Sequence, residues 1–247
     1  MKVLGIDIGG SAFKGAPVDT KTGRLLADRH RVEVDAPCPT TQGLAAVREI
    51  ARHFAWHGPV GIGFPSVIQS NRIGPVGNLG HNWENKDGAV LFGRATGGKV
   101  LLCNDADAAG LAEMKFGAGQ GHQGSVLMLT MGTGIGSALF FQGRLMPNLE
   151  FGHIPWKGKP IERFASAAVR KRRGLSWREW ALRVNVFLEV VERLCSPELI
   201  IIGGGVSKKS DKWFKYLKAK ARVVPAKLQN EAGIVGAALA WEAAGRS

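Results

Sequence analysis

Residues 3–19 read VLGIDIGGSAFKGAPVD, and this stretch decides the fold prediction. An apolar run carries one carboxylate, Asp7, into Gly9-Gly10-Ser11, and a second apolar run containing Lys14 follows. Short apolar runs on either side of glycines are typical of a β-hairpin. A carboxylate at the end of a strand that is predicted to be buried is costly and has to be explained. The alternatives are an aspartate bonded to its own turn and an aspartate that serves a phosphate or metal site.

The same form returns at residues 129–138, LTMGTGIGSA, where an apolar run breaks into glycines and then resumes. Two such hairpins suggest two related lobes. Alternating and helical periodicity predicts further elements along the chain. The predicted strands are 24–34, 60–65, 99–105 and 198–205. The predicted helices are 43–56, a segment ending at Gly117, 176–195 and 231–244. Mixed strands and helices indicate an α/β fold.

The chain has 247 residues, of which 45% are hydrophobic and 21% charged, as expected for a soluble globular protein. No apolar run reaches the roughly 18 residues that a membrane helix needs. The start, MKVLGID, enters a strand pattern at once, so we expect no signal peptide and a cytoplasmic location. Three scattered cysteines without CxxC spacing argue against a disulfide framework and against a cysteine zinc site.

The net charge is +13, from 33 Lys and Arg against 20 Asp and Glu. Such a charge favours a polyanionic partner, whether nucleic acid, an anionic membrane or a phosphate-rich small molecule. The alternative is an enzyme whose basic surface has no such partner. The chain contains no helix-turn-helix, zinc-finger or exposed-aromatic pattern, so a nucleic-acid-binding module is disfavoured.

Glycine clusters occur at 9–10, 132–136 and 203–205. Neither the dinucleotide pattern GxGxxG between a strand and a helix nor the P-loop GxxxxGK[ST] fits them. Tight glycine turns expose backbone N–H groups and allow a phosphate to approach closely. Any single cluster can be an ordinary turn. Three of them in a basic chain favour phosphoryl transfer.

Phosphoryl transfer to an alcohol needs a base, and Asn104-Asp105 offers one where a strand ends and a helix begins. Helix capping is the alternative interpretation of this pair. Glu150 and His153, in EFGH, suit a hydroxyl-rich ligand better than a metal because no third ligand lies nearby. Glu162 could add a sugar contact or form a surface ion pair.

The order of these motifs resembles that of the ROK sugar kinases (repressor, open reading frame, kinase) over nearly the whole chain. The matching segments are DIGGS, GIGFPS, NDADAAGLAE, GTGIGSA, EFGH, ERFAS, IIGGGVS and NEAGIVGAA. Within that family the chain looks most like the polyphosphate glucokinases. The segments that carry this closer match are NDADAAGLAE, GGGVSKKSDKW and LQNEAGIVGAA.

The resemblance implies an actin-like, ribonuclease-H-like α/β fold of two lobes. The N-terminal lobe would comprise residues 1–105, with the C-terminal helix 231–247 packing back on it, and residues 106–230 would form the C-terminal lobe. Glucose would bind between the lobes, with the phosphoryl donor above it. The resemblance also makes a homodimer the expected assembly.

By the same resemblance, Asp105 is the general base that takes the proton of the glucose 6-hydroxyl. The implied sugar ligands are Gly63, Pro65, Ser66, Asn104, Asp105, Glu150, His153 and Glu162. The implied donor-binding residues are Asp7, Gly9, Gly10, Ser11, Lys14, Gly132, Thr133, Gly134, Gly203, Gly204, Gly205, Lys208 and Lys209. Asp7 would hold Mg²⁺, directly or through water.

Two features depart from the family. Many members carry a cysteine-rich zinc loop after their ExGH motif, but His153 is followed by IPWKGKPIE, so we expect no zinc site. Family repressors carry an N-terminal DNA-binding domain, for which the six residues before Asp7 leave no room, so we expect no nucleic-acid partner.

The resemblance implies that the phosphoryl donor is inorganic polyphosphate or ATP. Two basic runs are candidate tracks for polyphosphate, and the alternative is that both are solvated surfaces. Their residues are Arg170, Lys171, Arg172 and Arg173 in one, and Lys208, Lys209, Lys212 and Lys215 in the other. The competing functions are an ATP-dependent hexokinase or glucomannokinase of the same family and a non-catalytic sugar- or polyanion-binding protein.

Overall fold

The computed structural model describes residues 1–77 and 79–244, which form a mixed α/β structure. The chain divides into two compact units. The first contains Met1–Ala112 together with the chain from Glu231 onward, and the second contains Glu113–Asn230.

The strands of the first unit are β1 (Lys2–Ile8), β2 (Ala12–Asp19), β3 (Arg24–Leu25), β4 (His30–Glu33), β5 (Val60–Phe64), β6 (Ile68–Gln69), β7 (Arg72–Ile73) and β8 (Val100–Asn104). Its helices are α1 (Thr40–His53), α2 (Gly88–Thr96), the start of α3 (Asp105–Phe116) and the C-terminal α7 (Ala232–Ala244).

The main sheet of this unit has the order β3-β2-β1-β5-β8, and β4 also pairs with β2. Strand β1 runs antiparallel to β2 and parallel to β5, which in turn runs parallel to β8. The prediction of one strand over 24–34 was wrong. Strands β3 and β4 pair with opposite ends of β2, and the exposed residues between them belong to neither strand.

Helix α7 packs against this sheet through glycines. A Cβ atom at Gly5 would collide with the carbonyl of Ile234, and one at Gly61 would collide with the carbonyl of Ala237. The backbones of the helix and the two central strands therefore touch directly. Helix α1 covers the opposite face, where Gly15 lies against the side chain of Ile50.

The strands of the second unit are β9 (Ser125–Met131), β10 (Ile135–Phe141), β11 (Arg144–Met146), β12 (Pro155–Trp156), β13 (Lys159–Pro160), β14 (Leu199–Gly203) and β15 (Arg222–Pro225). Its helices are the end of α3, α4 (Glu162–Ala165), α5 (Ala167–Arg172) and α6 (Trp177–Cys195).

The main sheet of the second unit has the order β11-β10-β9-β14-β15. Strand β9 is antiparallel to β10 and parallel to β14, and β14 is parallel to β15. This is the strand order and direction of the first sheet. The two hairpins that resemble each other in sequence, β1-β2 and β9-β10, occupy corresponding places, so the repetition suggested by the sequence is present in the structure.

Aromatic side chains fill the core of the second unit. Trp180 and Trp213 are fully buried with ring centroids 4.5 Å apart, and each indole N–H donates to a backbone carbonyl. Helix α6 starts with a capping box, in which Ser176 and Glu179 satisfy each other's backbone N–H groups.

The division between the units falls within α3, at Ala112–Glu113, seven residues after the boundary that we expected at residue 105. The first two turns of α3 belong to the first unit because they are packed there. Ala108 is fully buried, and its carbonyl leaves no room for a side chain at Gly236 of α7.

Candidate active site

The predicted site residues of the first unit lie at one edge of its sheet. The parallel strands β1, β5 and β8 all end at this edge, and such an edge is where α/β proteins commonly bind ligands. Asp7 of β1 is in register with Gly63 of β5, and Gly63 is in register with Cys103 of β8. Asp105 follows two residues later, at the start of α3.

Asp7 is a partly buried carboxylate, with 23% of its side chain exposed and Lys14 Nζ at 3.7 Å. Burial raises the pKa of Asp7, and the positive charge of Lys14 opposes that effect. Helix α7 begins beside this carboxylate, because a Cβ atom at Gly233 would lie only 2.8 Å from Cγ of Asp7. Sequence reasoning missed Gly233, although it lies in the NEAGIVGAA motif.

Asn104 and Asp105 have different roles. Oδ1 of the buried Asn104 accepts from the N–H groups of Ala106 at 2.8 Å and Asp107 at 3.1 Å, so the capping interpretation is confirmed for Asn104. Its Nδ2 donates to the Ser66 carbonyl at 3.2 Å. Asp105 is the first residue of α3, and its Oδ1 accepts from Ala106 N–H at 2.8 Å.

The loop after β5 lies against these residues. Gly63, near the end of β5, also lies close to the start of α3, since a Cβ atom there would be 3.6 Å from Cα of Asp105, an ordinary van der Waals distance. The Ser66 hydroxyl donates to the Pro75 carbonyl at 3.0 Å and is buried. Ser66 therefore stabilises the shape of the loop.

In the second unit, two of the predicted glycine turns lie side by side. Gly132-Thr133-Gly134 joins β9 to β10, and Gly132 N–H donates to the Gly134 carbonyl at 3.0 Å. Gly204 has a φ of 82° and packs so tightly on the backbone of Met131 that no side chain would fit. The ends of β9 and β14 thus present both turns at one edge.

The EFGH segment is held against β10. Phe151–His153 forms a 3-10 helix, and the buried hydroxyl of Ser137 in β10 donates to the Leu149 carbonyl at 2.6 Å. The same hydroxyl accepts from Phe151 N–H at 2.9 Å. Sequence reasoning missed Ser137, and a lone hydroxyl inside an apolar strand was the available signal.

Glu162 connects the EFGH segment with the glycine turn. Its Oε2 accepts from Ile135 N–H at 3.0 Å, directly after the turn, and its Oε1 lies 3.9 Å from Nε2 of His153. The His153 side chain is 62% exposed. Burial raises the pKa of Glu150; the charge of His153 opposes this effect and that of Glu162 adds to it.

The sequence profile of the ROK family matches residues 3–168. The chain belongs to the ROK family. It is 42% identical over 238 residues to polyphosphate glucokinase from Mycobacterium tuberculosis, a match that covers 96% of this chain and 90% of the relative.

Solved ROK structures agree with this assignment. Inorganic polyphosphate/ATP-glucomannokinase from Arthrobacter sp. strain KM superposes with a TM-score of 0.94 at 43% identity, covering 100% of this chain and 99% of the other. A Streptomyces griseus ROK family glucokinase, solved with glucose and AMPPNP, gives a TM-score of 0.79 at 26% identity, covering 97% and 99%. The predicted fold class, an actin-like α/β fold of two lobes, is confirmed.

The basic runs of this ROK protein differ in their surroundings. The guanidinium of Arg170 stacks on the Trp177 indole at 3.6 Å, whereas residues 171–173 are exposed. Helix α5, which carries this run, begins at the glycine turn, because Ala168 N–H donates to the Gly132 carbonyl at 3.0 Å. Lys208 and Lys209 are exposed on a separate 3-10 helix, Ser207–Lys212.

One acidic residue of the ROK motifs stabilises the fold through hydrogen bonds to the backbone. Glu113, the last residue of NDADAAGLAE, is fully buried. Its carboxylate accepts from the N–H groups of Ala118, Lys227 and Leu228 at 2.7–3.1 Å. It thereby ties the end of α3 to the segment after β15.

Within the described residues, 1–77 and 79–244, no three His, Cys, Asp or Glu side chains are grouped so that they could hold a metal ion. Mg²⁺ in kinases commonly uses one or two carboxylates, several waters and the phosphates of the substrate. The partly exposed carboxylate of Asp7 fits that kind of site. No helix in the described part of the chain is long and apolar enough to span a membrane.

Proposed function

We propose that this protein is a glucokinase that transfers a terminal phosphoryl group from inorganic polyphosphate, and from ATP, to the 6-hydroxyl of glucose, giving glucose 6-phosphate. The observation that carries the proposal is the match to polyphosphate glucokinase, at 42% identity over 96% of the chain. The superposition on a polyphosphate/ATP-glucomannokinase supports the same donors.

Asp105 is the general base in this proposal. Its carboxylate accepts the proton of the 6-hydroxyl while the oxygen attacks the terminal phosphorus of the donor, and the bond from phosphorus to the donor's bridging oxygen breaks. The remaining polyphosphate, or ADP, leaves. Asn104 supports this role because it caps α3 and thereby holds the first residue of that helix in place.

Glu150, His153 and Glu162 bind sugar hydroxyls, since their carboxylate and imidazole groups can accept and donate hydrogen bonds. Asn104, Gly63 near the end of β5, and Pro65 and Ser66 in the following loop complete the sugar contacts. What supports this assignment is that the polar side chains are fixed by backbone contacts: Ser137 holds the EFGH segment, and Ile135 N–H holds Glu162. Fixed side chains bind a hydroxyl-rich ligand with less loss of entropy.

The donor phosphates lie against the glycine turns, where the absence of side chains allows close approach, and bind Lys14. The turns concerned are Gly9-Gly10-Ser11, Gly132-Thr133-Gly134 and Gly203-Gly204-Gly205, with Lys208 and Lys209 close to the last in sequence. Mg²⁺ bound at Asp7 would neutralise phosphate charge. Lys14 contributes a fixed positive charge beside that carboxylate.

The test is to measure glucose 6-phosphate formation with long-chain polyphosphate and with ATP as separate donors. We expect turnover with polyphosphate. Turnover with ATP alone would contradict the polyphosphate assignment and leave a glucokinase. No turnover with either donor, together with intact glucose binding, would favour the sugar-binding protein.

A second candidate is a glucomannokinase with the same donors. It is favoured by the Arthrobacter relative, whose name states that activity. Comparing kcat/KM for glucose and mannose under saturating donor decides between the two, since a glucokinase should discriminate against mannose by well over tenfold.

The proposed place of action is the cytoplasm, where ATP and phosphorylated sugars are retained, and the proposed assembly is a homodimer. The support for the dimer is the family resemblance of the chain. Light scattering after size-exclusion chromatography gives the mass in solution, and a monomer would contradict the dimer.

A further inference from the structure

Three charged side chains form one row across the sheet of the first unit. Asp7 of β1 pairs with Lys14 of β2, and Lys14 pairs with Arg31 of β4. Residues directly opposite each other on neighbouring strands project from the same face. Two strand spacings of about 4.8 Å place the Cα atom of Arg31 about 10 Å from that of Asp7.

The row lies on the face that α7 covers only in part. Gly5, two residues before Asp7 on the same strand, touches α7, whereas Gly15, on the alternate face, touches α1. Exposure increases along the row away from Asp7. The side chain of Asp7 is 23% exposed, that of Lys14 is 30% exposed, and that of Arg31 is 47% exposed. The positive groups are therefore accessible to a ligand.

Two further charges belong to this surface. Arg29 is exposed and lies immediately before β4, two residues from Arg31. Glu33 is the opposing charge, since its carboxylate pairs with the Arg31 guanidinium and is itself 79% exposed. An exposed pair of this kind holds the arginine only weakly, so an anion of higher charge can displace Glu33.

We propose that Lys14, Arg31 and Arg29 form a track for the phosphates of a long polyphosphate donor beyond the group being transferred. This proposal rests on the proposed function, because it assumes that the reacting end of the donor lies at Asp7. A polyphosphate continues as a uniform line of negative charges. ATP has only three phosphates before its ribose, so Arg31 and Arg29 contribute mainly to polyphosphate binding.

The test is the double variant Arg29→Ala/Arg31→Ala. We expect KM for long-chain polyphosphate to rise about five- to tenfold, from the loss of two exposed ion-pair contacts. The KM for ATP should change by less than twofold. The dependence of polyphosphate KM on salt should also become shallower, since fewer charges are neutralised on binding. Equal effects on both donors, or no effect on polyphosphate KM, would overturn the track.

Two matched variants guard against a general charge effect. Lys21→Ala/Arg24→Ala removes the same net charge from exposed positions at the other end of β2 and should leave polyphosphate KM unchanged. Glu33→Gln should lower that KM, because it releases Arg31. An increase with Lys21→Ala/Arg24→Ala as large as that of the track variant would contradict a local site.

Direct binding separates this inference from the proposed function. Calorimetric titration of long-chain polyphosphate into the protein without glucose reports on the row whether or not turnover occurs. Wild-type protein that binds polyphosphate but transfers no phosphoryl group contradicts the proposed function, and weaker binding by the arginine variant would still support the track. Wild-type turnover with unchanged binding by the variant contradicts the track alone.

Discussion

Asn104 and Asp105 are adjacent in the chain, but their side chains form different hydrogen bonds. Asn104 uses its side-chain oxygen to cap α3, and Asp105 takes the first position of the helix. Only the second carries a carboxylate that can accept a proton. We therefore expect Asp105→Asn to lower kcat by about 100-fold or more, while glucose affinity measured by calorimetry stays within a fewfold of wild type.

The control for this variant is Asp87→Asn. Asp87 is the N-cap of α2 and accepts from Val90 N–H at 3.0 Å. Asparagine caps helices as well as aspartate does, so stability and kcat should both be preserved. A rate for Asp105→Asn within tenfold of wild type would remove Asp105 from the role of base.

Glu162 has two partners, and two substitutions separate them. Glu162→Gln keeps an oxygen that can accept from Ile135 N–H and loses the charge beside His153, so KM for glucose should rise while donor KM is little changed. Glu162→Ala also leaves the Ile135 N–H without its acceptor next to the glycine turn. We expect that variant to raise donor KM as well, by about tenfold, the range for losing a hydrogen bond to a charged group.

Steady-state kinetics with each substrate varied in turn provides the measurement. Ser137→Ala is the matched control for loss of a backbone contact, since it acts on the EFGH segment and not on the turn. If Glu162→Gln and Glu162→Ala gave the same donor KM, the link between Glu162 and the turn would have no functional consequence.

The raised pKa of Glu150 makes a prediction about pH. Burial favours the neutral form in the folded protein, so this group contributes stability below its unfolded pKa of about 4.3 and loses it as pH rises through the folded pKa. Glu150→Gln should therefore be more stable than wild type at pH 7, and the difference should vanish near pH 4. Urea titrations at both pH values test this, and a variant less stable at pH 7 would contradict it.

The same shift affects function in the opposite direction. If ionised Glu150 accepts from a sugar hydroxyl, kcat/KM for glucose should fall on acidification at a pH above the ordinary carboxylate value. The Glu150→Gln variant should have lower activity, and its kcat/KM for glucose should no longer fall on acidification in this pH range.

Among the elements, α7 depends on the absence of side chains where it meets its neighbours. Carbonyl groups occupy the space that a Cβ atom at Gly5, Gly61 or Gly236 would need. Gly61→Ala and Gly236→Ala should each reduce the free energy of unfolding by about 1–3 kcal/mol or more, because backbone atoms cannot move aside as a flexible side chain can.

Urea unfolding of each variant measures this loss. Gly77→Ala is the control, since a Cβ atom at Gly77 would have no heavy atom within 4 Å. Its stability should lie within about 0.5 kcal/mol of wild type, as is usual for surface substitutions. Wild-type stability of Gly61→Ala would show that α7 can shift away from the sheet.

For the molecule as a whole, the net charge of +13 should distinguish the two donors. The Debye length is about 10 Å at 0.1 M salt, so a long polyanion that touches many separated charges is screened more than a nucleotide in one place. When the salt concentration is raised about tenfold, from roughly 0.05 to 0.5 M, KM for long-chain polyphosphate should rise more steeply than KM for ATP. Parallel salt dependences would show that polyphosphate uses no charges beyond those that bind ATP.

Local patterns were sufficient for most of the fold, whereas the list of candidate residues came mainly from the family resemblance and stays a prediction. The two hairpins, the strand before Asn104 and helix α6 could be predicted because each alternates or repeats its own apolar residues over a short span. The C-terminal helix could be predicted as a continuous apolar run. The motifs and their order likewise identified the ROK family. The single strand expected over 24–34 failed because pairing with the two ends of β2 interrupts it, and its own residues do not show that pairing.

By itself, the sequence determined most of the main strands and helices, where their glycine turns lie and how much positive charge the chain carries. Only the tertiary structure decided that Arg31, Lys14 and Asp7 share one row, that Asn104 caps α3, and that Glu162 bonds to an amide 27 residues away. The reason is physical. Burial periodicity is a property of neighbouring residues, whereas strand register and hydrogen bonds between distant residues depend on how the whole sheet and its helices pack together.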